Sequence, residues 1–145
     1  MPALRTKTTL KSSREGEGKK QQGLSLQEKE DIQKIIKERD AKVLNSLANK
    51  LGKKYSRDIS TSQIRNVLDR IQRMPNYNPN ELLLLEPLLA YVVGKQQKNK
   101  RSAFDHFYQV ISEAINQVKK DEDFEYFRRF VEAIVAYHRY HGGKE

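Results

Sequence analysis

The chain has no cysteine. This excludes a disulfide framework, a thiolate nucleophile and a cysteine-ligated zinc. Histidine is scarce, at three residues. Two of these, His138 and His141, stand i, i+3 on one predicted helix, but no third ligand is suggested and Glu132 is more than a turn away, so no metal site is expected. They read instead as polar residues near a helix C-terminus, where the dipole favours them. The seven glycines fall in the N-terminal stretch, at helix ends, or alone at Gly94, and none forms a phosphate-cradling loop. Long hydrophobic runs are missing too. The longest, residues 82–93, contains Glu86 and Pro87 and falls short of the roughly 20 residues that cross a bilayer. The first residues, MPALRTKTTLKSS, lack the apolar stretch of a secretory signal, so export is not expected and a cytoplasmic protein is.

Basic charge is what the chain has in excess. Lys and Arg total 28 against 19 acids, a formal charge of +9, which is the electrostatic footprint of a nucleic-acid partner. Residues 1–23 carry Arg5, Lys7, Lys11, Arg14, Lys19 and Lys20 against Glu15 and Glu17. With no apolar periodicity to offset the entropy of ordering, this segment is expected to be a disordered basic tail. Residues 24–145 are expected to form a single helical domain.

Each segment of that domain carries helical signals. Ser25 and Glu28 make a capping box, and Ile32, Ile35, Ile36, Val43, Leu44, Leu47 and Leu51 recur at helical spacing, with a break permitted at Asp40 and a stop predicted at Gly52. A basic connector over residues 53–59 leads to a second capping box, Ser60 with Gln63, and to a helix whose core face is Ile64, Val67, Leu68 and Ile71. PNYNP, residues 75–79, is a turn-forming loop. ELLLLEPLLAYVVGKQ, residues 81–96, spreads its apolar residues around the wheel. It is expected to be a central helix surrounded by the others, which Pro87 either kinks or begins. The next helix puts Phe104, Phe107, Tyr108, Ile111, Ile115 and Val118 on one face, with His106, Gln109 and Glu113 on the solvent side. The last helix, capped by Asp121, has a core face of Phe124, Phe127, Val131, Ile134 and Val135. Its opposite, aromatic side, Tyr126, Phe130, Tyr137 and Tyr140, is expected to meet a protein partner. No period-2 alternation marks a strand, so the fold class is all-α, a compact bundle of five or six helices.

No catalytic constellation is visible. Carboxylate pairs such as Glu28 with Asp31, and Asp121 with Asp123, lie in first turns that capping already explains. No catalytic residue, metal or cofactor is therefore expected. The basic residues do cluster, first at Lys50, Lys53, Lys54, Arg57, Arg65, Arg70 and Arg73, then at Lys95, Lys98, Lys100 and Arg101. Both clusters sit at helix ends and connectors, where phosphate contacts are readily made.

Three segments, TSQIRNVLDRI (61–71), LLLLEPLLAYVVGK (82–95) and FRRFVEAIVAYHRYHGG (127–143), in this order and spacing, resemble the small α-helical subunit of type III-A CRISPR-Cas effector (Csm) complexes. The resemblance spans residues 30–143. It implies a non-catalytic subunit in antiviral defence that stacks in several copies beside the backbone and large subunits. In that position it would touch the phosphates of paired CRISPR RNA and target RNA without reading sequence. Carried onto matching positions, it nominates Lys53, Lys54, Arg57, Gln63, Arg65, Arg128 and Arg129 for RNA, while Lys98 and Arg101 are nominated by charge alone. The aromatic side of the last helix, Tyr126, Phe130, Tyr137 and Tyr140, becomes the protein interface. The alternative reading is a helical protein-interaction module that does not bind RNA directly.

Overall fold

In the computed structural model, residues 23–144 are described, and nearly all of the predicted basic tail lies outside them. The helices are α1 (Leu26–Glu38), α2 (Ala41–Tyr55), α3 (Thr61–Gln72), α4 (Pro79–Leu83), α5 (Leu85–Gly94), α6 (Lys98–Gln117) and α7 (Asp121–Tyr140). Helices α4 and α5 are parted only by Leu84 and form one interrupted rod. The described residues contain no strand, as the sequence pattern predicts. No helix among them is long and apolar enough to cross a membrane.

Both capping boxes form. Ser25 accepts from the Glu28 amide and Ser60 from that of Gln63, each at about 3 Å, and each partner side chain returns the bond. The permitted break is real. Asp40 caps α2 through the Val43 amide, and Arg39 before it takes a left-handed φ of 55°. The guanidinium of Arg39 donates to the carbonyls of Ile36 and Lys37, satisfying the end of α1.

The predicted stop at Gly52 is overturned, since α2 continues to Tyr55. Gly52 is there for contact, not for a turn. A Cβ at this position would lie 2.6 Å from the Tyr137 Cβ and from the His138 backbone nitrogen. The missing side chain lets α7 press against α2, the most extensive helix pair in the protein.

Helix α7 takes the centre that the sequence pattern assigns to residues 81–96. It packs against α1, α2 and α3, and Phe124, Phe127, Phe130, Val131 and Ile134 are buried in full or nearly so. The leucine-rich rod instead lies on the perimeter against α6 and buries only Leu82, Leu85 and Leu89. Leu83, Leu84, Leu88 and Tyr91 face solvent. Pro87 is the third residue of α5, in the first turn, where its missing N–H costs no hydrogen bond within that helix.

Two further expectations are corrected by burial. His106, assigned to the solvent side of its helix, is buried between Tyr55 and Glu28. Phe130, assigned to a partner surface, is fully buried because the domain itself covers both sides of α7.

Candidate nucleic-acid interface

At the C-terminal end of α2 the spacing i, i+3, i+4 brings Lys50, Lys53 and Lys54 to one face, and the turn that follows the helix sets Arg57 beside them. They line an open groove with Ser56 and His141, and Glu28 contributes to its wall. All four cations are exposed, and none forms an ion pair among the described residues. The helix end is well suited to them, because the negative pole of the α2 dipole stabilises cations there. Ser56 closes the turn by donating its hydroxyl to the Lys53 carbonyl at 2.8 Å. His141 reaches across from α7 and sits 2.6 Å from Asn49 Oδ1.

A buried polar chain supports the groove from below. The Tyr55 hydroxyl lies 2.7 Å from His106 Nδ1, and His106 Nε2 lies 3.3 Å from Glu28 Oε1. A carboxylate only accepts, so Nε2 carries the proton and Nδ1 accepts from Tyr55. Burial holds His106 below the ordinary imidazole range, with Glu28 opposing and Lys54 adding to the effect. Burial also pushes Glu28 up. The Ser25 amide, His106 and Lys50 outweigh it and keep the carboxyl below its usual range. Burial raises the Tyr55 phenol well above normal, with the Glu28 charge adding to the effect. The resting state is thus a neutral imidazole between a neutral phenol and a carboxylate.

The other nominated residues are dispersed. Gln63 spends its carbonyl oxygen on the Ser60 amide as part of the capping box. At the N-terminus of α3 the Thr61 N–H is taken by the Lys144 carbonyl and that of Gln63 by the Ser60 hydroxyl. Arg65 is exposed on α3. Lys98 and Arg101 lie together at the start of α6, where Arg101 donates to the Gly94 carbonyl and so caps α5.

Arg128 and Arg129 both pair with Glu125, at 3.5 and 3.3 Å. Arg128 lies over the Phe124 ring at 4.9 Å and only 22% of its side chain is exposed, whereas Arg129 is 59% exposed. On the aromatic side of α7, the guanidiniums of Arg39 and Arg129 both lie within 6 Å of the Tyr126 ring centroid, at 5.9 and 5.7 Å, and the Tyr137 hydroxyl donates to Asn45 Oδ1. Tyr140 is largely exposed.

Of the nominated set, then, the structure gathers Lys53, Lys54 and Arg57. It adds Lys50, one helical turn before them and visible in the charge cluster, and His141, whose proximity only the fold reveals. No group of three or more metal-ligating side chains occurs among the described residues.

The described residues thus form an all-α fold whose most coherent polar surface is a groove of exposed cations with no ion-pair partner among them. The comparison with known families makes this specific: the model of the Csm2 Type III-A family matches residues 38–144. The chain belongs to that family and is a small subunit of the type III-A CRISPR effector complex. No curated protein and no solved structure matches it.

Proposed function

We propose that this subunit acts without catalysis, holding the backbone of paired CRISPR RNA and target RNA through the groove of Lys50, Lys53, Lys54 and Arg57. The observation that carries the reading is the convergence of these four exposed cations on one face with no ion-pair partner among the described residues. Such a surface neutralises phosphates and is indifferent to base identity, which suits a complex in which base pairing supplies the sequence. Arg65, Lys98, Arg101 and Arg129 extend the positive field beyond the groove. Tyr126, Tyr137 and Tyr140 offer contacts to other copies and to the backbone and large subunits during cytoplasmic antiviral defence.

The test is a salt titration of RNA affinity with purified full-length protein. Wild type should show log Kd rising linearly with log salt, with little difference between RNA sequences. Replacing Lys53, Lys54 and Arg57 together by alanine should flatten that slope by about two to three. An unchanged slope would remove the groove from the reading.

A further inference from the structure

Helices α3 and α5 are anchored on different neighbours, α3 on α7 and α5 on α6, with little direct packing between the two. A cavity of about 360 Å³ lies in the gap, a size within the ~300–1,000 Å³ of small-molecule sites. Its base is apolar. Phe104 and Phe107 come from α6, and Ile59, Leu85 and Leu89 complete a lining in which each of these side chains is buried. Val67 and Val92, both half-buried, form the walls. The exposed rim carries Asn66 and Arg70 from α3 and, across the gap, Leu88, Tyr91 and Lys95.

The charge of the rim is one-sided. Two cations line the cavity and no carboxylate does. Neither Arg70 nor Lys95 has an ion-pair partner among the described residues. Lys95 holds its ammonium 5.4 Å from the centroid of the Tyr91 ring. Gln63, also in the lining, has its carbonyl oxygen bound to the Ser60 amide, so the group it can still offer is an NH2 donor. An apolar base is thus combined with hydrogen-bond donors and with positive charge at the mouth, the few polar groups that orient a ligand in an otherwise apolar site.

We infer that this cavity binds a small amphipathic anion, a ring-bearing apolar body seated over Phe104 and Phe107 that carries one carboxylate, phosphate or sulfonate to Arg70 and Lys95. Both halves of the ligand are required by the lining. A neutral apolar molecule would leave the two cations without a counter-charge, and a bare phosphate would leave the apolar base without contacts. The chain's own N-terminal segment is disfavoured as the occupant, because residues 1–23 carry Arg5, Lys7, Lys11, Arg14, Lys19 and Lys20 against Glu15 and Glu17, and the rim repels it. Seated across the gap, the ligand ties α3 to α5. No residue of the cavity lines the α2 groove, so the inference goes beyond the RNA reading above and does not rest on it.

The probe is anilinonaphthalene sulfonate, an aromatic body with one anionic group, compared with phenylnaphthylamine, the same body without the charge. Full-length protein freed of nucleic acid should bind the sulfonate saturably at a single site, with its circular dichroism unchanged. Arg70→Gln combined with Lys95→Gln, both at exposed positions, should raise the sulfonate Kd about tenfold and leave that of the uncharged probe within about twofold. Val67→Trp fills the cavity and should weaken both probes about tenfold; if it does not fold, the charge pair decides alone. Alanine at Lys53, Lys54 and Arg57 together should leave both Kd values unchanged, which separates the cavity from the groove. Unsaturable binding, an equal response of the two probes to the charge pair, or loss of the sulfonate in the groove variant would each overturn the proposal. So would a probe signal per chain that falls as protein concentration rises, since a second copy would then occupy the cavity. A failed RNA salt titration would leave every one of these outcomes untouched, so the two readings fail separately.

Discussion

The Tyr55 hydroxyl donates to His106 Nδ1 at 2.7 Å, which fixes the imidazole as a neutral ring whose other nitrogen faces Glu28. This relationship sets how stability responds to acid. Burial lowers His106 in the folded state, so between its folded value and the ordinary imidazole value near 6.5 the unfolded chain binds more protons. The stabilisation is complete above about pH 6.5 and is lost progressively as the pH falls towards the folded value. Glu28, held below the usual carboxyl range despite its burial, adds a loss of the same sign at lower pH. Thermal unfolding at pH 7.5, 6.5, 5.5 and 4.5, measured in parallel with His106→Gln, checks this. Wild type should lose Tm across the upper part of the range and the variant should be flatter there. Equal slopes would exclude a buried neutral His106.

Gly52 is the point where α2 and α7 touch. Its substitution tests whether the close approach is required, because a methyl group there would meet the backbone nitrogen of His138 as well as the Tyr137 side chain. Backbone cannot swing aside as a side-chain end can, so Gly52→Ala is expected to destabilise by about 1–3 kcal/mol, even though alanine is the better helix former. Urea unfolding measures it. A stabilised variant would mean the two helices are not in contact here.

The aromatic side of α7 divides into a buried and an exposed part, and the two should respond differently. Phe130 is fully buried, so Phe130→Ala should cost about 3–5 kcal/mol and lower the yield of folded protein. Tyr140 is 77% exposed, and Tyr140→Ala should leave stability within about 0.5 kcal/mol of wild type. If Tyr140 contacts another subunit, its loss should appear as weaker co-purification of the assembled complex at unchanged Tm.

Local signals make the helices legible. The boxes at Ser25 and Ser60 and the cap at Asp40 depend on residues three apart, and the apolar spacing of α6 and α7 matches their buried faces almost throughout. What cannot be read is which helix is surrounded. Residues 81–96 and α7 both spread apolar side chains around the wheel, and periodicity within a segment does not say which one the others enclose. His106 is misplaced by the pattern for a related reason. Its position on the wheel is polar, but the residues that bury and satisfy it, Tyr55 and Glu28, lie 51 and 78 positions away. The charge cluster identifies Lys50 to Arg57 because those residues share one helix end. It does not show that Arg101 caps α5 or that Arg128 stacks on Phe124.

That last distinction separates cations that bind from cations that hold the fold. Arg57 is exposed beside the α2 groove, while Arg128 lies against Phe124, paired with Glu125, with most of its side chain out of solvent. Arg57→Ala should therefore weaken RNA binding and reduce the salt slope by about one, with Tm almost unchanged. Arg128→Ala removes packing and a cation–π contact, so it should lower stability by roughly 1 kcal/mol and leave the salt slope alone. Measuring both quantities on both variants decides between the assignments. A reduced slope with unchanged stability for Arg128→Ala would move that residue into the RNA interface and show that its contacts to Glu125 and Phe124 give way when RNA is bound.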